Sequence, residues 1–195
     1  MPQFSPRSYG PAISGLLATE RLNELGPGAP EQQVGSQLAA LSPEQVVAPH
    51  ELGDPEMAAA CLAALWLRYD FADESHAISQ ELQTIEGSYW HGILHRREPD
   101  FANAKYWFRR VGSHPLCPAL AAAARESAQA AAPDRAAEFL NAQTAWDHFR
   151  FVDLCQSVLA GRSAAELLCR QIQQREWELL FDHCYRRACV DPGMG

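Results

Sequence analysis

The sequence is poor in lysine and has no long hydrophobic run. Lys105 is its only lysine, against fifteen arginines, and nowhere do eighteen apolar residues follow one another. Because a membrane-spanning helix needs about twenty apolar residues, no such span is predicted. The first twenty residues also lack the basic start and the apolar core of a secretory signal. We therefore expect a soluble, cytoplasmic protein without a membrane partner.

Several catalytic and nucleotide-binding motifs are also absent. The sequence has no GxxxxGK[ST] phosphate-binding loop, no GxGxxG turn, no GxSxG nucleophile turn and no HExxH zinc-protease motif. Its six cysteines are widely spread and form no CxxC pair, a pattern typical of buried free thiols. Any chemistry should therefore come from histidine, carboxylate and arginine side chains.

The fold is predicted to be all-α, because no segment alternates apolar and polar residues as a strand does. Asp54 and Pro55 have the order of an N-cap and a first helical residue. Ser163 is a second N-cap, for a long helix predicted to reach Cys189. With 195 residues and 47% apolar content, the chain can bury one sizeable core. We predict a single-domain helical bundle with a loop-rich N-terminal third.

Proline and glycine set the expected division of the chain. Residues 1–55 hold eight of the thirteen prolines and six of the twelve glycines. This third is therefore predicted to be a wrap with short helices at 12–20 and 31–41. Residues 56–191 should form the helical core domain, which carries the candidate site at 86–115.

The segment 86–115 differs from the rest of the chain in charge. The protein as a whole has a formal charge of −8, but this segment has five basic and three acidic side chains and is therefore +2. A basic island in an acidic protein suits a small anionic ligand, whereas DNA or RNA requires a broad positive surface. We predict no nucleic-acid partner. Alternatively, these arginines pair with nearby carboxylates on a solvated face.

The same segment is predicted to form a helical hairpin. Read as a helix, its first half places His91, His95 and Glu98 at positions i, i+4 and i+7 along one face. Pro99 ends this helix because its ring removes a backbone N–H, and Asp100 is a good N-cap for a second helix. One arm of the hairpin thus carries a histidine and glutamate stripe, and the other carries a cationic stripe.

This stripe indicates a possible metal site. Two imidazoles one turn apart, together with a carboxylate, can bind Zn, Fe or Mn when another helix donates further ligands. We predict His91, His95, Glu98 and His76 as the candidate metal ligands. Glu86 is another donor nearby in the sequence.

A metal-free pocket is the second interpretation of the hairpin. In it Arg96, Lys105, Arg109 and Trp107 would bind a carboxylate or phosphate, and His91 or His95 would act as acid or base. In two further interpretations the protein is a non-enzymatic interaction module, or the two histidines only satisfy polar contacts in the core. The sequence leaves open whether the protein is an enzyme, and it leaves its oligomeric state open.

Two resemblances fall on this hairpin. One is to the second helix of a tetratricopeptide or Sel1-type repeat, through Asp100, Phe101, Ala104, Phe108, Val111 and Pro115. It implies a helical protein-interaction scaffold. The string HGILHRREPDFANAKYWFRRVG also resembles a family of uncharacterised bacterial helical proteins, which implies no particular activity. Because no second copy follows at a spacing of about 34 residues, and one repeat cannot bury its apolar face, we predict a bundle.

Overall fold

A computed structural model describes residues 4–190, and these residues form helices joined by loops. Within that range no β-sheet is formed, and a single isolated bridge pairs Leu52 with Cys189. The predicted all-α, single-domain fold is confirmed. The α-helices are α1 (Pro11–Leu17), α2 (Gln32–Ala39), α3 (Pro43–Val47), α4 (Pro55–Arg68), α5 (Ala72–Ser79), α6 (Ile85–Arg97), α7 (Phe101–Val111), α8 (Cys117–Ala130), α9 (Phe139–Ala142), α10 (His148–Leu159) and α11 (Glu166–Ala188), and 3-10 helices span Pro6–Ser8 and Arg135–Ala137.

Helix α11 is the longest element, and none of the described helices is long and apolar enough to cross a membrane. It begins later than predicted. The Ser163 hydroxyl does accept a backbone hydrogen bond, from Ala165, but Ser163 also donates to Asp134. The serine therefore belongs to a turn that precedes α11, and Ala165 is the N-cap residue.

The cap signals of the hairpin are observed as predicted. The Asp100 carboxylate accepts a hydrogen bond from the backbone N–H of Asn103, which starts α7. Gly112 ends α7 with a φ of 59°, a left-handed conformation that glycine adopts without strain. The two arms α6 and α7 pack closely, and Gly92 makes this possible. A side chain at Gly92 would meet the Phe108 ring at 3.0 Å.

The predicted bundle is observed, and the long helix shares one hydrophobic core with the hairpin. Helix α11 packs directly on α4 and α8. Its Glu176 side chain reaches α6, where it accepts hydrogen bonds from Tyr89 and Arg96. Trp177 stacks on Phe181 with ring centroids 4.9 Å apart and meets the Trp90 ring edge-on. These rings belong to the same hydrophobic core as Phe108 of α7. Leu167, near the start of α11, is 60% exposed and lies outside this core.

The N-terminal third packs against this core. Ile13 and Leu16 of α1 and Val46 of α3 are buried in the same apolar cluster as α4 and α11. A polar junction adds to this attachment, because the Asp70 carboxylate accepts hydrogen bonds from Arg21, Asn23 and Arg97. These contacts hold residues from the loop after α1 against the end of α6.

Candidate functional site

Three histidines meet where α5 lies against α6. His76 comes from α5, and His91 and His95 come from successive turns of α6. One ligand atom from each ring lies within 4.8 Å of the others, and the centroids of the His76 and His91 rings are 4.5 Å apart. We call these residues the three-histidine cluster. The structure thus brings together three of the four predicted metal ligands.

The local sequence explains why the three rings converge. Helix α5 ends at Ser79, and the Thr84 hydroxyl starts α6 by accepting a hydrogen bond from the Gly87 backbone N–H. This short connection returns the chain so that α6 packs beside α5. Within α6 the spacing of four residues places His91 and His95 on one face. Both are buried, whereas His76 is partly exposed.

Trp107 of α7 lies against the three-histidine cluster. Its ring lies 4.1 Å from the His91 ring, between centroids, with an angle of 33° between the ring planes. The guanidinium of Arg110 lies over the same indole, 5.2 Å from its centroid. Trp107, predicted to bind ligand, therefore lies beside the histidines and shields His91 from solvent.

The outer hydrogen bonds determine which ring nitrogen is free in His91 and in His95. The Nδ1 atom of His91 lies 3.1 Å from the Ser79 hydroxyl, which in turn donates to the His76 carbonyl oxygen at 3.4 Å. When the hydroxyl donates to this carbonyl it accepts from His91, so that Nδ1 carries the hydrogen and Nε2 keeps its lone pair. In His95, Nδ1 lies 3.0 Å from the Glu98 carboxylate and donates its hydrogen to it, so Nε2 again keeps its lone pair. Two of the three histidines thus present Nε2 lone pairs.

Glu98 therefore has a different role from the one predicted. It lies outside the group of ligand atoms and instead binds the far side of His95. The physical reason is that Glu98 is the C-cap residue of α6, with a ψ of 16°, so the stripe of the helix does not continue through it. A carboxylate bonded to a ligating imidazole fixes its orientation and increases its basicity.

The rings of His91 and His95 are held neutral. Burial, together with the neighbouring rings of His95 and His76, lowers the pKa of His91 to about 3. Burial also lowers the pKa of His95, although Glu98 opposes this effect. Neutral imidazole is the form that coordinates metal, so protons compete weakly for these nitrogens at neutral pH.

The predicted anion-binding cations do not converge. Arg96 is 1% exposed and donates to the Glu176 carboxylate at 2.6 Å. Lys105 pairs with Asp153 on the surface, and Arg109 lies over the Phe149 ring. Arg96 points away from the histidines because one residue along a helix turns the side chain by about 100°. The three cations thus form no common pocket.

A second cluster, which sequence reasoning did not predict, contains Glu86, His114 and His183. We call it the carboxylate cluster. His183 Nε2 lies 3.0 Å from Glu86 Oε1, and Arg187 donates to the same oxygen at 2.6 Å. His114 Nε2 lies 3.8 Å from this oxygen and has no hydrogen-bond partner among the described residues. The sequence signal for this cluster is the spacing of His183 and Arg187, which places two donors on one face of α11.

The carboxylate cluster is organised around a negative charge. His114 Nδ1 accepts a hydrogen bond from the Leu116 backbone N–H at 3.3 Å, so in the neutral ring Nε2 carries the hydrogen that faces Glu86. The nearby rings of His114 and His183, with a smaller contribution from Arg187, hold the pKa of Glu86 well below its usual value. Glu86 is therefore an ionised, buried carboxylate.

Comparison of the chain with protein-family models, with curated proteins and with solved structures gives no match in any of the three.

Proposed function

We propose that the protein binds one divalent transition-metal ion, with Zn²⁺ the best fit, through His76, His91 and His95. The observation that carries this proposal is the convergence of three imidazoles from two adjacent helices, with ligand atoms within 4.8 Å of one another. Imidazole suits Zn, Cu, Fe and Ni, and a set of three histidines is a known zinc ligand set.

The geometry requires a small contraction when metal binds. Nitrogens bound to zinc at about 2.0–2.1 Å in a tetrahedron lie about 3.4 Å apart. His76 is only partly buried, so its side chain can rotate towards His91 and His95. These two are held by Ser79 and Glu98 and form the fixed part of the site.

The proposed site has an open coordination position. Three protein ligands leave the fourth tetrahedral position to water or a small anion, as in catalytic zinc sites. A zinc-bound water is a hydroxide source near neutral pH, which supports metal-dependent hydrolysis as the class of reaction. A small anion would then be bound by the metal. Arg96, Lys105 and Arg109 form no common pocket that could bind the anion instead.

The test is a zinc titration of chelator-treated protein by calorimetry. Wild type should bind one zinc per chain, and the double variant His91→Ala/His95→Ala should lose this binding. His76→Ala should weaken it with the least risk to the fold, because His76 is partly exposed. His50→Ala is the matched control, since His50 is exposed and lies outside both clusters. Unchanged stoichiometry and affinity in a folded His76→Ala and in the double variant would overturn the proposal.

A further inference from the structure

The His95 side chain has two polar neighbours, one on each ring nitrogen. Nδ1 faces Glu98, and Nε2 lies 3.1 Å from the side-chain nitrogen of Asn103 on α7. Because Nδ1 carries the hydrogen, Nε2 accepts a hydrogen bond from the Asn103 amide. The amide therefore occupies the lone pair that a metal would take.

We propose that Asn103 donates a hydrogen bond to the non-protein ligand in the fourth coordination position. This inference rests on the proposed metal site. His95 Nε2 has one lone pair, which a metal ion and the Asn103 amide cannot both use. The amide therefore loses its acceptor when metal binds to His95. Its N–H groups remain beside the metal, because α7 is packed against α6 and fixes the Asn103 backbone. The acceptor that then becomes available to the Asn103 amide is the non-protein ligand atom that completes the coordination of the metal.

The position of Asn103 in its helix supports this role. Its backbone N–H is bonded to the Asp100 carboxylate, so the start of α7 is fixed independently of the Asn103 side chain. The side chain is partly exposed, so a small ligand can reach it from solvent. The cap thus fixes the backbone that carries the Asn103 carboxamide, and the carboxamide itself takes no part in the cap.

The donor also defines the class of ligand. Three neutral imidazoles leave the charge of a divalent ion uncompensated, apart from Glu98 at the far side of His95. A monoanion, or the anionic oxygen of a small molecule, balances this charge and accepts from an amide N–H. The site should therefore prefer hydroxide, carboxylate or a similar acceptor over a ligand without one.

The experiment uses the Co²⁺-loaded full chain, with azide as the probe ligand and the visible absorption of cobalt as the signal. Azide should bind wild type and change the cobalt spectrum, and Asn103→Ala should weaken azide at least tenfold, the effect of losing a hydrogen bond to a charged group. Cobalt affinity should stay within a few-fold. Asn141→Ala, an exposed asparagine of α9, is the matched control and should change neither value.

Asn103→Asp distinguishes a specific donor role of Asn103 from a general disturbance of the site by mutation. A carboxylate at this position repels azide and can itself coordinate the metal, so cobalt should bind more tightly while azide binding is lost.

If cobalt binds but azide affinity is equal in wild type and Asn103→Ala, the role of Asn103 is wrong and the metal site stands. If wild type binds cobalt but not azide, the position is not open to a ligand and the role is again wrong. If wild type binds no cobalt, the metal site itself is wrong.

Discussion

The three-histidine cluster and the carboxylate cluster have similar components but opposite polarity. Each contains three potential metal ligands within 4.8 Å. In the first, Ser79 and Glu98 are the acceptors that face Nδ1 of His91 and of His95, so Nε2 is the nitrogen with the lone pair in both rings. In the second, the hydrogen of His114 faces inward because Nδ1 is occupied by a backbone N–H. The outer hydrogen bonds, more than the types of residue, thus distinguish a metal-binding group from an ion-pair group.

The largest expected effects concern zinc. His95→Ala should weaken zinc binding more than about 100-fold by removing a ligand. Glu98→Gln should weaken it roughly 10- to 100-fold, because an outer carboxylate orients its histidine. His183→Ala, in the carboxylate cluster, is the contrasting variant and should leave the zinc affinity unchanged. Competition with a chromophoric chelator measures all three, and a loss of zinc binding in His183→Ala would break the contrast between the clusters.

The next effect is on stability and belongs to the carboxylate cluster. Glu86→Gln removes the charge that faces His114, His183 and Arg187, so the free energy of unfolding should fall by about 2 kcal/mol. Urea denaturation of the metal-free protein measures this change. Zinc affinity should be unaffected. If Glu86→Gln is as stable as wild type, the buried carboxylate does not stabilise the fold.

The two clusters should respond to acid in different pH ranges. The pKa of His91 is lowered from 6.5 to about 3, so the unfolded chain binds more protons and stability falls as pH drops below 6.5. The pKa of Glu86 is lowered from 4.5, so its contribution is lost below that value. Each group contributes a slope of at most about 1.4 kcal/mol per pH unit.

This separation can be measured in chelator-treated protein by denaturation at a series of pH values. His91→Gln should flatten the dependence between pH 6.5 and 4.5, and Glu86→Gln should flatten it only below pH 4.5. Variants with superimposable profiles would show that the charge states of the two clusters have been assigned incorrectly.

The smallest effect is expected at the surface. Lys105 pairs with Asp153 at an exposed position, and such pairs contribute only about 0.2–1 kcal/mol. Lys105→Ala should therefore change the melting temperature and the zinc affinity little. A large loss of zinc or azide binding in this variant would restore the predicted role of the lysine in ligand binding.

The hairpin, the bundle and the proximity of the three histidines could be predicted from the sequence, because these depend on local signals. The spacing of His91 and His95 and the caps at Pro99 and Asp100 are properties of a few neighbouring residues. His76 lies only fifteen residues before His91, and the short connection between α5 and α6 brings it into the cluster.

The remaining parts depend on contacts between distant residues. The helical pattern does not reveal that Arg96 meets Glu176, which lies eighty residues further along the chain. The pairing of Glu86 with His183 spans ninety-seven residues and was likewise not predicted. In both cases the partner is chosen by the packing of α11, which local periodicity does not determine.

The Arg96 and Glu176 pair has a consequence for how the protein is made. Arg96 is enclosed in the core, and its partner carboxylate belongs to α11, so a nascent chain that ends before α11 carries an unmatched guanidinium. A buried charge without its partner is strongly destabilising. Arg96 can therefore be buried at low cost only after Glu176 has been synthesised. Burial of this arginine of the histidine-bearing helix is thereby coupled to synthesis of the long helix.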